Sequence, residues 1–122
     1  MTLQELYQEM GGDYAQALRV LHVEKLLDKH IRKFPKNAVL NTLFEAGETL
    51  DATQLFEAGH AVKGISANLG LTAIADAASE ITEEFRPGST RRLTDDEVKA
   101  KVRKLKSQLD KTADAIARYE QA

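Results

Sequence analysis

From Val98 to Tyr119 the residues Val98, Val102, Leu105, Leu109, Thr112, Ile116 and Tyr119 recur at alternating steps of four and three. That spacing draws a single stripe along about six turns of helix. A stripe this long commits the rest of the chain, because an amphipathic helix in water owes most of its stability to whatever covers its apolar face. Thr94-Asp95-Asp96-Glu97 supplies the start: a capping box, with extra acid at the positive end of the helix dipole. The seam can be covered by a second copy, as a coiled coil, or by other helices of the same chain.

Those other helices are present. Ala, Leu, Glu, Lys and Gln are abundant, while alternating strand patterns and Asn-Gly or Asp-Gly hairpin turns are missing. Three amphipathic stretches precede the seam: 36–48 with Val39, Leu40, Leu43 and Phe44; 51–69; and 71–86 with Leu71, Ile74, Ala78, Ile81 and Phe85. Short links join them, so the intramolecular arrangement is favoured over a coiled-coil dimer. The expected fold is all-α: an antiparallel four-helix bundle over 36–120, with short N-terminal helices in 1–34 covering one end or side. The whole, 1–122, reads as a single domain and a monomer.

Local signals place the boundaries. Thr2 and Glu5 form a capping box ahead of Leu3, Leu6 and Tyr7, and Gly11-Gly12 stops that helix. Asp13, with Gln16, caps a second piece carrying Tyr14, Ala17, Leu18 and Leu21; a third, 23–34, turns Leu26, Leu27, Ile31 and Phe34 inward. The second and third pieces read equally as two helices or one. Pro35 disfavours helix at Phe34 and can open the next helix in its first turn, and Gly47 weakens that helix's end. Asp51 caps the following helix, with Gln54 placed to reach back, and Gly70 suits its stop.

Between Phe56 and Gly70 the pattern acquires a second meaning. At about 100° per residue, Leu55, Ala58, Val62, Ile65, Ser66 and Leu69 gather on the core side. His60 falls on the other side, with Glu57, Lys63, Gly64 and Ala67 within roughly 60° of it. A histidine projects outward, a cation follows one turn later, and small residues leave the surface beside it open. Gly64 is the hardest to explain as packing, since a glycine inside a helix costs about 1 kcal/mol relative to alanine. Gly59, by contrast, fits a close helix contact. Phe56, one turn before His60, reads equally as a packing residue or as a partly exposed contact for a partner.

His60-Ala-Val-Lys63-Gly64, followed by Asn68-Leu-Gly70, resembles the His-x-x-Lys-Gly signature of histidine-containing phosphotransfer (HPt) domains, and Leu6…Gly11-Gly12-Asp13 resembles their opening segment. The resemblance implies a phosphorelay carrier, free-standing or part of a larger protein, that shuttles a phosphoryl group between its histidine and an aspartate of response-regulator receiver domains. Receivers or hybrid histidine kinases are the implied partners. By that likeness His60 is the phosphoacceptor and Lys63 and Gly64 support it; Phe56, Glu57, Ala67 and Asn68 are the candidate docking residues. The receiver would bring the Mg²⁺, and the chain is expected to need no cofactor of its own. The stretch from Asp13 to Phe34 is long for a minimal domain of this kind.

The chemistry of the residues agrees with that reading. Neutral imidazole, with a reference pKa near ~6.5, keeps a ring lone pair that can attack phosphorus. An ammonium one turn away lowers the cost of the incoming charge. Asn68 lies roughly 80° off the histidine's direction, which gives it a lesser role.

Other functions lack their residues. There is no cysteine, so disulfides, thiolate zinc sites and cysteine nucleophiles are excluded. The net charge of −2 argues against broad attraction to nucleic acid or anionic lipid. Eight of the 17 Lys and Arg residues fall between Arg86 and Lys106, but acids interrupt them and no aromatics interleave. Neither a phosphate-binding glycine loop nor an obvious carboxylate cluster for Mg²⁺ occurs, so no ATP site and no autokinase activity are expected. His22 and His30 have no metal-ligand spacing and read as structural or solvated. With no apolar run of membrane-spanning length and no signal-like N-terminus, a cytoplasmic location is expected. The competing reading is a non-catalytic helical adaptor with a degenerate motif; an imidazole buried inside the bundle would favour it.

Overall fold

A computed structural model describes residues 1–121, so only Ala122 of the expected domain lies outside it. Among the described residues all regular structure is helical: α1 (Leu3–Met10), α2 (Tyr14–Leu21), α3 (Glu24–Lys33), a 3₁₀ turn (Phe34–Lys36), α4 (Ala38–Thr49), α5 (Ala52–Asn68), α6 (Thr72–Glu84) and α7 (Asp95–Gln121). α4 packs on α5, α5 on α6, α6 on α7, and α7 back on α4, which closes the four-helix bundle. The seam of α7 faces inward: Val98, Val102, Leu105, Leu109, Thr112 and Ile116 are all buried. Intramolecular cover thus replaces the coiled-coil partner.

Neighbouring helices run antiparallel. The start of α4 meets the late part of α7, where Leu40 and Asn41 share a groove with Leu109 and Ala113. Glu48, near the end of α4, pairs with Arg103 near the start of α7 at 3.1 Å. Two glycines set how closely the helices approach. A Cβ built on Gly47 would lie 2.5 Å from Val102 Cγ1, and one on Gly59 would lie 2.8 Å from Thr82 Oγ1. Gly47 sits buried in the last turn of α4, which runs on to Thr49 and stops at Leu50 with φ of 59°.

The caps follow the sequence in outline. Thr2 and Glu5 form a reciprocal box, as do Thr94 and Glu97, and Asp13 accepts from the Gln16 N–H. At Asp51 only half of the expected box forms. Its side chain accepts from the Gln54 N–H, but its own N–H donates to the Ala46 carbonyl at 3.3 Å, so nothing is left for Gln54 to reach back to. The predicted helix 36–48 also begins late. Pro35 goes into the 3₁₀ turn, and the Asn37 side chain, accepting from the Val39 N–H at 3.0 Å, caps α4 at Ala38.

The N-terminal helices lie over one end of the bundle. Asp13 N–H donates to the Gly70 carbonyl at 2.7 Å, and the buried Tyr7 hydroxyl donates to the Leu69 carbonyl at 2.6 Å. Gly70, at φ of 69°, ends α5 as expected, and a Cβ there would strike the Asp13 carbonyl oxygen at 2.3 Å. α2 and α3 are separate helices, broken at His22 with φ of 69°. Leu26 corrects the expectation of an inward residue: it is 43% exposed. The inward stripe of α3 is Leu27, Ile31 and then Phe34, and Leu26 stands one residue back, about 100° round the helix. The Asp28 carboxylate accepts from the Tyr119 hydroxyl and from Arg32 Nε at 3.0 Å, which ties α3 to the end of α7. No helix among the described residues is long and apolar enough to cross a membrane.

Candidate functional site

The long outer face of α5 is free because α5 buries only one side. Leu55, Ala58, Gly59, Val62 and Ser66 are buried against α4 and α6, with Ile65 half-buried. Ser66 keeps its hydroxyl inside the helix by donating to the Val62 carbonyl at 2.5 Å. On the opposite face His60, Glu57, Gly64, Ala67 and Asn68 are exposed, and Phe56 and Lys63 are half-buried.

Around His60 the surface is open and asymmetrically charged. A Cβ built on Gly64 meets nothing within 4 Å, so close packing in the fold does not account for this glycine. Lys63, one turn from the imidazole, forms no salt bridge among the described residues, leaving its ammonium free for an anion. The Phe56 ring lies nearly parallel to the imidazole, with centroids 6.1 Å apart and planes at 11°. Phe56 is thus neither simply core nor a bare contact; its ring limits where the imidazole can swing.

Two further residues belong here. The Arg86 guanidinium lies 5.6 Å from the Phe56 ring centroid, within cation–π range. Arg86 Nη2 and Nε also donate to Glu83 at 2.6 and 2.9 Å. Those hydrogen bonds hold the Glu83 carboxyl below the usual carboxylate range; slight burial opposes them, and the charges of Arg86, Lys63 and His60 add to the lowering. The sequence offered only an acid and a base three residues apart at the end of a helix. What brings them to α5 is the α5–α6 packing, which periodicity does not encode.

The remaining candidates are spread along α5. Glu57 and Ala67 flank the histidine on the exposed face. Asn68 lies further on, lining a groove of about 350 Å³ with Leu21, His30, Lys33, Phe34 and Ile65. It is not drawn to the imidazole. His22 lies at the break between α2 and α3 and His30 within α3, and no group of three or more His, Asp or Glu residues among the described ones is arranged to hold a metal ion.

A family model of the Hpt domain matches residues 2–119. The chain belongs to the Hpt domain family. Neither the curated proteins nor the solved structures yielded a match. Hpt domains work in the phosphorelays of two-component systems, where they interact with receiver domains and kinases. In this Hpt domain the family match takes in the N-terminal helices as well as the bundle, so the long stretch from Asp13 to Phe34 lies within the domain.

Proposed function

We propose that His60 of this Hpt domain takes a phosphoryl group from the aspartate of one receiver domain and gives it to another. The observation that carries the reading is the surface at His60: an exposed imidazole opposite the core, a free ammonium one turn away, and open space over Gly64. A ring nitrogen attacks the phosphorus of the receiver's acyl phosphate. The P–N bond forms as the P–O bond to the carboxylate breaks, and the second ring nitrogen releases its proton to solvent. Return transfer runs the same steps backwards. Lys63 offsets the charge carried by the phosphoryl oxygens, and Gly64 leaves a path for the incoming carboxylate. Because the chain brings one histidine and one lysine, the Mg²⁺ and the other charged groups of the transfer site are assigned to the receiver.

The test uses a phosphorylated receiver from the same organism. The wild-type protein should acquire acid-labile, alkali-stable label, and His60→Gln should acquire none while keeping its helical circular dichroism. Undiminished labelling of His60→Gln overturns the assignment. A buried imidazole would have favoured the adaptor reading, and His60 is exposed.

A further inference from the structure

Glu83 and Arg86 form the best-made ion pair near the histidine, yet the pair has no evident work in the fold. Its side chains are 53% and 45% exposed, and both bonds join residues three apart at the same helix end. Such pairs add little to stability. What distinguishes this one is its setting. Arg86 leans from the end of α6 onto the Phe56 ring of α5, and the same ring stacks on His60. Phe56 is therefore a shared contact of the imidazole and the guanidinium. A guanidinium is the side chain best matched to a phosphoryl group, since its paired N–H donors fit two oxygens at once. In the unloaded protein a carboxylate occupies those donors.

We propose that Glu83 and Arg86 set how long His60 keeps a phosphoryl group: Arg86 shields the bound group, and Glu83 competes for Arg86 and repels the same charge, holding the phosphohistidine ready to be given away. This rests on His60 being the phosphoacceptor. Phosphorylation places two or three anionic oxygens above α5, where they and the Glu83 carboxylate contend for one guanidinium. Replacing Glu83 with glutamine keeps size and polarity but removes the competing charge, so Arg86 passes to the phosphoryl group. Arg86→Ala removes the shield. Lys63 stays in place in both variants and continues to permit loading.

The experiment needs no partner protein. Phosphoramidate loads the full chain: its P–N bond breaks, a bond to a His60 ring nitrogen forms, and the imidazole proton leaves with the ammonia. After desalting, hydrolysis transfers the group to water and restores the imidazole. It is followed through the phosphorus NMR signal that His60→Gln lacks. Glu83→Gln should lengthen the half-life about two- to fivefold, and Arg86→Ala should shorten it by a similar factor. Raising the salt from about 0.05 M to about 1 M should compress these differences, as screening between exposed charges requires. The Glu83→Gln, Arg86→Ala double variant should match Arg86→Ala within about twofold, because Glu83 acts mainly through the guanidinium. A half-life at His60 unmoved by Glu83→Gln, or a change insensitive to salt, overturns this inference alone. Absence of any signal at His60 in the wild-type chain overturns the carrier reading, and this inference with it.

Discussion

Gly64→Ala should make this protein more stable and less active. A glycine inside a helix is about 1 kcal/mol less favourable than alanine. At Gly64 nothing opposes that gain, because an added Cβ meets no atom within 4 Å. A chain of 122 residues unfolds with an entropy of about 0.26 kcal/mol/K, taking about 2.1 cal/mol/K per residue. The melting temperature should therefore rise by about 4 °C. The same methyl group stands one turn beyond His60, about 6 Å along the axis and about 40° round, on the path assigned to the receiver's carboxylate. Misplacing a reacting group by about 1 Å can slow a reaction about a hundredfold, so transfer should fall at least about tenfold. Thermal denaturation followed by circular dichroism gives the first quantity, and rapid-quench transfer from a labelled receiver gives the second. Gly59→Ala is the internal control. It lies five residues earlier in the same helix, but its Cβ would stand 2.8 Å from Thr82 Oγ1, so overpacking of about 1–3 kcal/mol offsets or exceeds the helix gain. A Gly64→Ala protein that melts lower than wild type, or that transfers at the wild-type rate, refutes the reasoning.

Lys63→Ala should slow phosphotransfer by about ten- to a hundredfold without abolishing it, and should leave the melting temperature nearly unchanged, because Lys63 holds no ion pair among the described residues. Tyr7→Phe removes the hydroxyl that donates to the buried Leu69 carbonyl and should cost about 1–3 kcal/mol by urea denaturation; no change would mean that the carbonyl finds water instead. At Asp28 burial pushes the carboxyl pKa up, but hydrogen bonds from Tyr119 and Arg32 outweigh it and hold the pKa below the usual range. A depressed carboxyl pKa adds stability above about pH 4 that is lost as the pH falls through the folded value. Asp28→Asn should therefore lower the melting temperature near neutrality and flatten its fall in acid, and parallel wild-type and variant curves would contradict the linkage.

Much of the fold is local in origin and could be read directly. The seam from Val98 to Ile116, the caps at Thr2, Asp13 and Thr94, and the stop at Gly70 depend on residues within a turn of one another. Even the outward direction of His60 follows from helical periodicity once the core side of α5 is known. Where local signals competed, the sequence was a poorer guide. Pro35 could have opened a helix or a 3₁₀ turn, and the Asn37 cap decided between them. Leu26 looked like a core residue until the neighbours of α3 settled which stripe was covered.

The contrast is sharpest on α5 itself. In the sequence Gly59 and Gly64 are two glycines in one helix with the same intrinsic penalty, and periodicity already sets the first towards a helix contact and the second outward. Packing supplies the contacts themselves: α6 presses on the first and nothing stands over the second. Arg86 likewise becomes a neighbour of Phe56 only because α6 folds back along α5 and brings the residues just past its end to that ring. Periodicity determines which way a side chain points, since that is fixed by the rotation per residue. What it meets there depends on helices distant in the chain, and only the tertiary structure brings them together.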